Sequence, residues 1–249
     1  MRLLLLSLVV TLPSVGSGQT AAEHIAAGDR HYAAMAADSA LDRYEKAIAS
    51  DQRSFQALWK ASRSAVDIGS YANEATRRPL FTRAEQYARK AVSLNPDDPE
   101  GHFSLARALG KTALSQSPRG RVRFATEIRG HALECLRLEP KHAGCLHVMG
   151  MWNAEVMRLN SFTRAIAKNV LGGRVFGTAS WSEAVRYMEA SVAAEPERIV
   201  HRVDLAEIYA HLGQHHRART ENETALRLPA TDVNDIHYKA QARRALGIR

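Results

Sequence analysis

Small and apolar residues recur along most of this chain at spacings of three and four, with polar residues on the opposite face. That is the period of amphipathic α-helix, not of strand. Four runs share one offset: Ala40, Tyr44, Ala47; Ala84, Ala88, Ala91; Ala184, Met188, Ser191; and Ala218, Asn222, Ala225. A weaker fifth runs Ile128, Ala132, Cys135. Proline stands five positions past the last marker at Pro96, Pro140 and Pro196, where a helix must stop.

A second pattern precedes each of these runs. It has a large or polar residue, another three on, a small one next to that, and a last one three later. The matches are His24, Ala27, Gly28, His31; Leu58, Ala61, Ser62, Ala65; His102, Leu105, Ala106, Leu109; Leu146, Met149, Gly150, Asn153; and Arg202, Leu205, Ala206, Tyr209. Paired helices of this kind, in series, are the signature of tetratricopeptide units of about 34 residues. From the small residue of the first helix to the first marker of the second, the gaps differ. Gly28 to Ala40 is 12, Ser62 to Ala84 is 22, Ala106 to Ile128 is 22, Gly150 to Ala184 is 34, and Ala206 to Ala218 is 12. Every insertion falls inside a unit, so all should project from one rim of the array.

The expected fold is all-α, a right-handed tetratricopeptide-like solenoid of five hairpins with a C-terminal capping helix. The units lie near 21–54, 55–98, 99–142, 143–198 and 199–232, and the last helix near 233–246. In unit two a loop is expected from Asn73 to Pro79. In unit four Ser161 is a candidate N-cap for a helix whose stripe is Phe162, Ala165, Ile166 and Val170, ended by Gly172-Gly173. That stripe either packs on its neighbours or forms a flap over the groove. Ser180 to Glu183 has the spacing of a capping box. Asp232 or Asn234 should cap the C-terminal helix, with Tyr238, Ala242, Ala245 and Leu246 covering the end of the array.

Residues 1–20 are expected to be a signal peptide. Met1-Arg2 is followed by an apolar run from Leu3 to Leu12 and small residues at Gly16-Ser17-Gly18. The run is far shorter than the roughly 20 residues of a spanning helix. The expected location is therefore exported, periplasmic or extracellular, with an uncleaved N-terminal membrane anchor as the alternative. The net charge of +8 permits acidic partners, but the basic residues are scattered apart from Arg119, Arg121, Arg123 and Arg129. No nucleic-acid motif accompanies them, and nucleic acid is not expected as a partner. Cys135 and Cys145, the only cysteines, lie across a short turn and form either a disulfide or two buried thiols. Cys135, His142, Cys145 and His147 match no closed metal site, and His211 and His215 are separated by Gly213. No metal, cofactor or catalytic group is expected, since the nucleophile-elbow, metalloprotease and phosphate-loop motifs are all missing.

First helices line the concave face of such an array, so their outward positions are the candidate partner groove. These are Tyr32, Trp59, Arg63, Phe103, Arg107, Lys111, His147, Met151 and Glu207, with His211 beside the last. Arginine and aromatic residues dominate interface energetics. Arg63 and Arg107 are expected to clamp carboxylates, with Trp59 and Phe103 either anchoring a partner or filling gaps between units. The expectation is a non-catalytic scaffold for a protein or peptide partner of acidic character, with the oligomeric state left open.

Leu58-Trp59-Lys60-Ala61-Ser62-Arg63, Met149-Gly150-Met151-Trp152, the insertion from Phe162 to Phe176, and Arg202-Val203-Asp204-Leu205-Ala206-Glu207-Ile208-Tyr209 resemble the regulator of microtubule dynamics family. The likeness covers roughly Ala40 to Arg243, and the enlarged fourth unit is its specific part. It implies a tetratricopeptide-type scaffold, and among eukaryotic members an association with microtubules and organelle surfaces. A membrane-surface adaptor with an uncut leader is the alternative it suggests. A cleaved secretory leader would place the chain away from tubulin, so the resemblance leaves the partner open.

Overall fold

The computed structural model describes residues 19–113, 117–169 and 174–248. The leader through Gly18, Val170, Gly172, Gly173 and the side chains of Arg119 and Ser161 lie outside the described residues. Among those described there are twelve α-helices, one 3-10 turn and no strand. The five hairpins are α1 (Ala21–Ala33) with α2 (Ala37–Ser50), α3 (Phe55–Tyr71) with α4 (Glu74–Leu94), α5 (Pro99–Ala113) with α6 (Pro118–Leu138), α7 (Ala143–Arg158) with α9 (Trp181–Ala194), and α10 (Ile199–His211) with α11 (His215–Arg227). The insertion of unit four is α8 (Ser161–Asn169) and the 3-10 turn Arg174–Thr178, and α12 (Asp235–Leu246) ends the chain. The result is an all-α helical-hairpin solenoid.

In units one and four the hairpin closes where a large second-helix marker meets a first-helix glycine. A Cβ on Gly28 would stand 2.4 Å from the Tyr44 ring, and one on Gly150 would stand 2.4 Å from Met188. Both partners are fully buried, so the glycines set how closely the helices approach. First helices also touch first helices of adjacent units: α3 contacts α1 and α5, and α7 contacts α5 and α10. That places them side by side on one face.

The insertion in unit two lengthens both helices, to 17 residues in α3 and 21 in α4, against 13 and 14 in unit one. The expected loop from Asn73 to Pro79 is instead helix from Glu74. The Asn73 side chain accepts the Thr76 N–H at 3.0 Å and starts α4 early. Pro79 then falls in the second turn and removes a single intrahelical hydrogen bond.

In unit four the cap of α8 is Asn160, one residue before Ser161, and its side-chain oxygen accepts the Thr163 N–H at 2.8 Å. The stripe also differs from expectation. Phe162 is 75% exposed and Ala165 is exposed, while Ala167 and Phe176 are buried with Val122, Trp152 and Val156. The insertion thus packs on α6 and α7 rather than across the groove, with Phe176 edge-on to Trp152 at 5.9 Å. Half of the expected capping box forms at α9. Ser180 accepts the Glu183 N–H at 3.1 Å, but Glu183 pairs with Arg186, and the Ser180 N–H donates to Asn153 at 3.2 Å.

Gly213, at φ +74°, makes the left-handed turn that ends α10. Ala242 of α12 is fully buried against Ile199, Val203 and Ala225, so α12 covers unit five as expected, although Ala245 is exposed. The Lys239 amine donates to the Leu226 and Leu228 carbonyls and thereby caps α11. No helix among the described residues is long and apolar enough to cross a membrane.

Candidate functional site

The concave face is organised around a residue outside the expected groove. Asp67 of α3 is 2% exposed, and both carboxylate oxygens are engaged. Oδ1 accepts from the Arg107 guanidinium of α5 at 2.8 Å, and Oδ2 accepts from the Tyr32 hydroxyl of α1 at 2.9 Å. Three consecutive first helices are joined through one carboxylate. Burial works against the charge of Arg107, but Asp67, with Tyr32 and Asp232, more than offsets it and keeps the guanidinium firmly protonated. Burial likewise pushes the Tyr32 hydroxyl up, so it stays a donor. Arg107, expected to clamp a partner, is committed to the interior of the array. Asp67 was legible: it lies four residues after Arg63, on the same helical face.

The remaining candidates divide. The Arg63 guanidinium lies 3.5 Å from the centre of the Tyr32 ring and 5.1 Å from that of half-buried Trp59, and its Nε is buried without a hydrogen-bond partner. Phe103 turns into the seam between units three and four. Its ring stands where a Cβ on Gly144 would come within 2.3 Å and lies 4.9 Å from the His142 ring, which matches the gap-filling alternative. Met151 packs on the core shared by α7, α9 and α10. His147 Nε2 and Asp204 Oδ2 are 2.7 Å apart, and the ring stacks on His201 at 4.9 Å. Burial, then the neighbouring His147, holds His201 well below the ordinary histidine range. Glu207 is bonded by Arg158 at 2.7 Å, and His211 leans on Trp181 at 4.4 Å.

Lys111 stands apart. It is half-buried on the same face of α5 as Arg107, and no ion pair or hydrogen bond joins it to any described residue. Burial, followed by the charge of Arg107, lowers its amine pKa.

The start of α12 reaches across the face to α3. The Asn234 side-chain amide donates to the Asp67 carbonyl at 3.2 Å, and His237 stacks on Tyr71 at 3.7 Å. Asp232 accepts from Arg198 at 2.7 Å and from the Asn234 N–H at 2.9 Å. Burial favours its neutral form, but Arg198, the Asn234 N–H and Arg107 together outweigh it and the carboxyl pKa falls. Neither Asp232 nor Asn234 caps α12 through its side chain. Asp235 reaches back instead, accepting the Thr231 and Asp232 N–H groups at 2.8 Å each. Of the cap residues expected for the last helix, Asn234 instead ties the C-terminal segment to α3 of unit two, and Asp232 pairs with Arg198 at the start of unit five.

Cys135 of α6 and Cys145 of α7 are joined by a disulfide with Cα atoms 6.4 Å apart, which ties unit three to unit four.

The family model for regulator of microtubule dynamics protein 1-3 matches residues 24–247, nearly the whole described solenoid. The chain belongs to this family. Regulator of microtubule dynamics protein 1 of Bos taurus is 27% identical over 141 residues, 56% of this chain and 44% of that protein. Regulator of microtubule dynamics protein 3 of Xenopus laevis is 24% identical over 192 residues, 76% of this chain and 41% of that protein. The chain therefore spans less than half the length of these curated relatives. A thermophilic TPR protein of Thermus thermophilus superposes with a TM-score of 0.63 at 18% identity, covering 92% of this chain and all of that one. That likeness shows the fold: a tetratricopeptide-type helical-repeat solenoid.

Proposed function

We propose that the protein is a non-catalytic adaptor whose concave face takes an acidic segment or loop of a partner protein. Lys111 carries this reading. Its neighbour Arg107 is neutralised from within by Asp67, whereas no carboxylate among the described residues forms an ion pair with the half-buried Lys111 amine. A partner carboxylate would supply it, and such charge-assisted hydrogen bonds are the strong ones. Arg63, held over Tyr32 beside Trp59, offers a second cation next to an aromatic surface. The relatives are named for regulating microtubule dynamics; since the shared part is this repeat domain, the proposal transfers only the scaffold role. The leader from Met1 to Gly18 supports an exported location, which N-terminal sequencing of the secreted product tests.

The binding test uses synthetic peptides in acidic and amide-substituted pairs, titrated against the full chain by fluorescence anisotropy. The wild type should prefer the acidic member of a pair. Lys111→Gln and Arg63→Gln should each weaken that binding about tenfold, the loss of one charge-assisted contact. Equal affinity for both members, or variants that bind like wild type, would overturn the reading.

A further inference from the structure

The junction of α6 and α7 holds a cluster that the adaptor reading does not use. Cys135, Cys145 and His142 are all buried, and each offers one donor atom within 4.8 Å of the others. We propose that, once the disulfide is reduced, these three residues bind a zinc-type divalent cation, so that unit three is held to unit four by either a disulfide or a metal.

The donors suit that ion. Two thiolates and one imidazole match the soft nitrogen and sulfur set that zinc prefers, and water would complete a tetrahedron. Tetrahedral bonds of about 2.1–2.3 Å place donors roughly 3.5–4 Å apart, within the 4.8 Å span of the present cluster. The histidine is already aimed. Its Nε2 lies 3.5 Å from the Glu100 carboxylate, and its Nδ1 faces the first turn of α7, accepting the Cys145 N–H at 3.1 Å. An Nε2–H directed at Glu100 leaves the Nδ1 lone pair free for a metal, as in carboxylate–histidine–zinc arrangements. Cys145 lies in the first turn of α7, where the helix dipole favours a thiolate. Phe103, packed on His142 and Gly144, covers the site. His147, the other nearby histidine, is bonded to Asp204 and takes no part.

The exchange balances. A dithiol reductant passes two electrons and two protons to the bridge and becomes a disulfide itself. The metal then displaces both thiol protons and takes the place of the Cys145 N–H at Nδ1.

The test reduces the full chain with a dithiol, removes the reductant anaerobically, and titrates Co²⁺ followed by Zn²⁺. Thiolate-to-cobalt charge-transfer absorption with tetrahedral d–d bands should saturate at one equivalent and disappear as Zn²⁺ displaces cobalt. The Cys135→Ser/Cys145→Ser variant should show neither band. Glu100→Gln, on a partly exposed side chain, should lower metal affinity at least about tenfold while leaving the oxidised protein's melting nearly unchanged at alkaline pH, where His142 is neutral. Zn²⁺ should raise the melting temperature of the reduced wild type. If the reduced chain unfolds, Zn²⁺ should restore its helical circular dichroism. Cobalt bound no better by the reduced wild type than by the double serine variant would overturn the proposal. So would Zn²⁺ that neither stabilises nor refolds the reduced chain.

Discussion

Arg107 and Lys111 stand four residues apart on the same face of α5, and the fold treats them oppositely. The planar guanidinium of Arg107 meets a buried carboxylate on the adjacent first helix, which in turn accepts the Tyr32 hydroxyl. Lys111 forms no ion pair with a described residue, and Asp204 and Asp67 act on its charge only at longer range. The difference is set by the neighbouring helix, because Asp67 is spaced to meet Arg107 and not the residue one turn on. A row of cations in a repeat protein is therefore not by itself a binding site. The cations that matter for a ligand are those left over after the first helices have paired with one another.

The sharpest way to break this comparison is to remove the paired cation. Arg107→Met leaves Asp67 buried with a single hydroxyl partner, and should cost about 3–5 kcal/mol of unfolding free energy in urea titrations. Replacing both members, Asp67→Leu with Arg107→Met, should recover most of that loss, since well-packed apolar pairs often substitute for buried ion pairs. A single-variant loss under about 1 kcal/mol would mean that Asp67 is solvated, and the distinction from Lys111 would collapse.

The repeat spacing made the architecture legible because it registers where helices touch: Gly28 with Tyr44 and Gly150 with Met188 are contacts between pattern positions. The chemistry of the face was less legible, because it depends on which positions of different units come opposite each other. Asp67 reaches Arg107 across 40 residues, and Asn234 reaches the Asp67 carbonyl across 167. No periodicity within one unit encodes either contact. The misplaced start of α4 has a local cause: the Asn73 side chain caps the helix upstream of Pro79, so the proline falls inside the helix instead of marking its boundary. The α8 stripe failed because the helix has only nine residues and docks through Ala167 and the following 3-10 turn.

A medium effect separates the two ends of the face by pH. At α10, His201 is buried and neutral, beside His147, Arg198 and Arg107, with its pKa well below the usual 6.5. The unfolded chain takes up a proton near pH 6.5 where the folded chain does not. Stability is thus full above that pH and falls as pH drops from there toward the folded value. The expected slope is on the order of 1 kcal/mol per pH unit in that window. His142 runs the other way: although burial disfavours its charge, Glu100 raises its pKa, so its contribution is lost as pH rises through that raised value. Comparing urea midpoints at pH 7.5 and 5.5 for wild type and His201→Gln isolates the first group. An unchanged slope in the variant would show that His201 is not held neutral, and that charge at this end of the face is unrestrained.

The smallest effect falls on the unpaired cation and gives the comparison its sign. Lys111→Met removes no hydrogen bond or ion pair and relieves the cost of a half-buried ammonium beside Arg107. Stability at neutral pH should therefore hold within about 0.5 kcal/mol or rise slightly, the opposite of Arg107→Met. The lysine pKa is depressed on folding, so the unfolded chain binds the proton more tightly between the folded value and 10.5. Raising the pH through that window should strengthen wild type relative to Lys111→Met and erase any gain of the variant. Thermal melts of the two proteins at neutral and alkaline pH measure this directly. A clear destabilisation by Lys111→Met at neutral pH would show that the amine already has a partner inside the fold, leaving no vacancy for a ligand carboxylate.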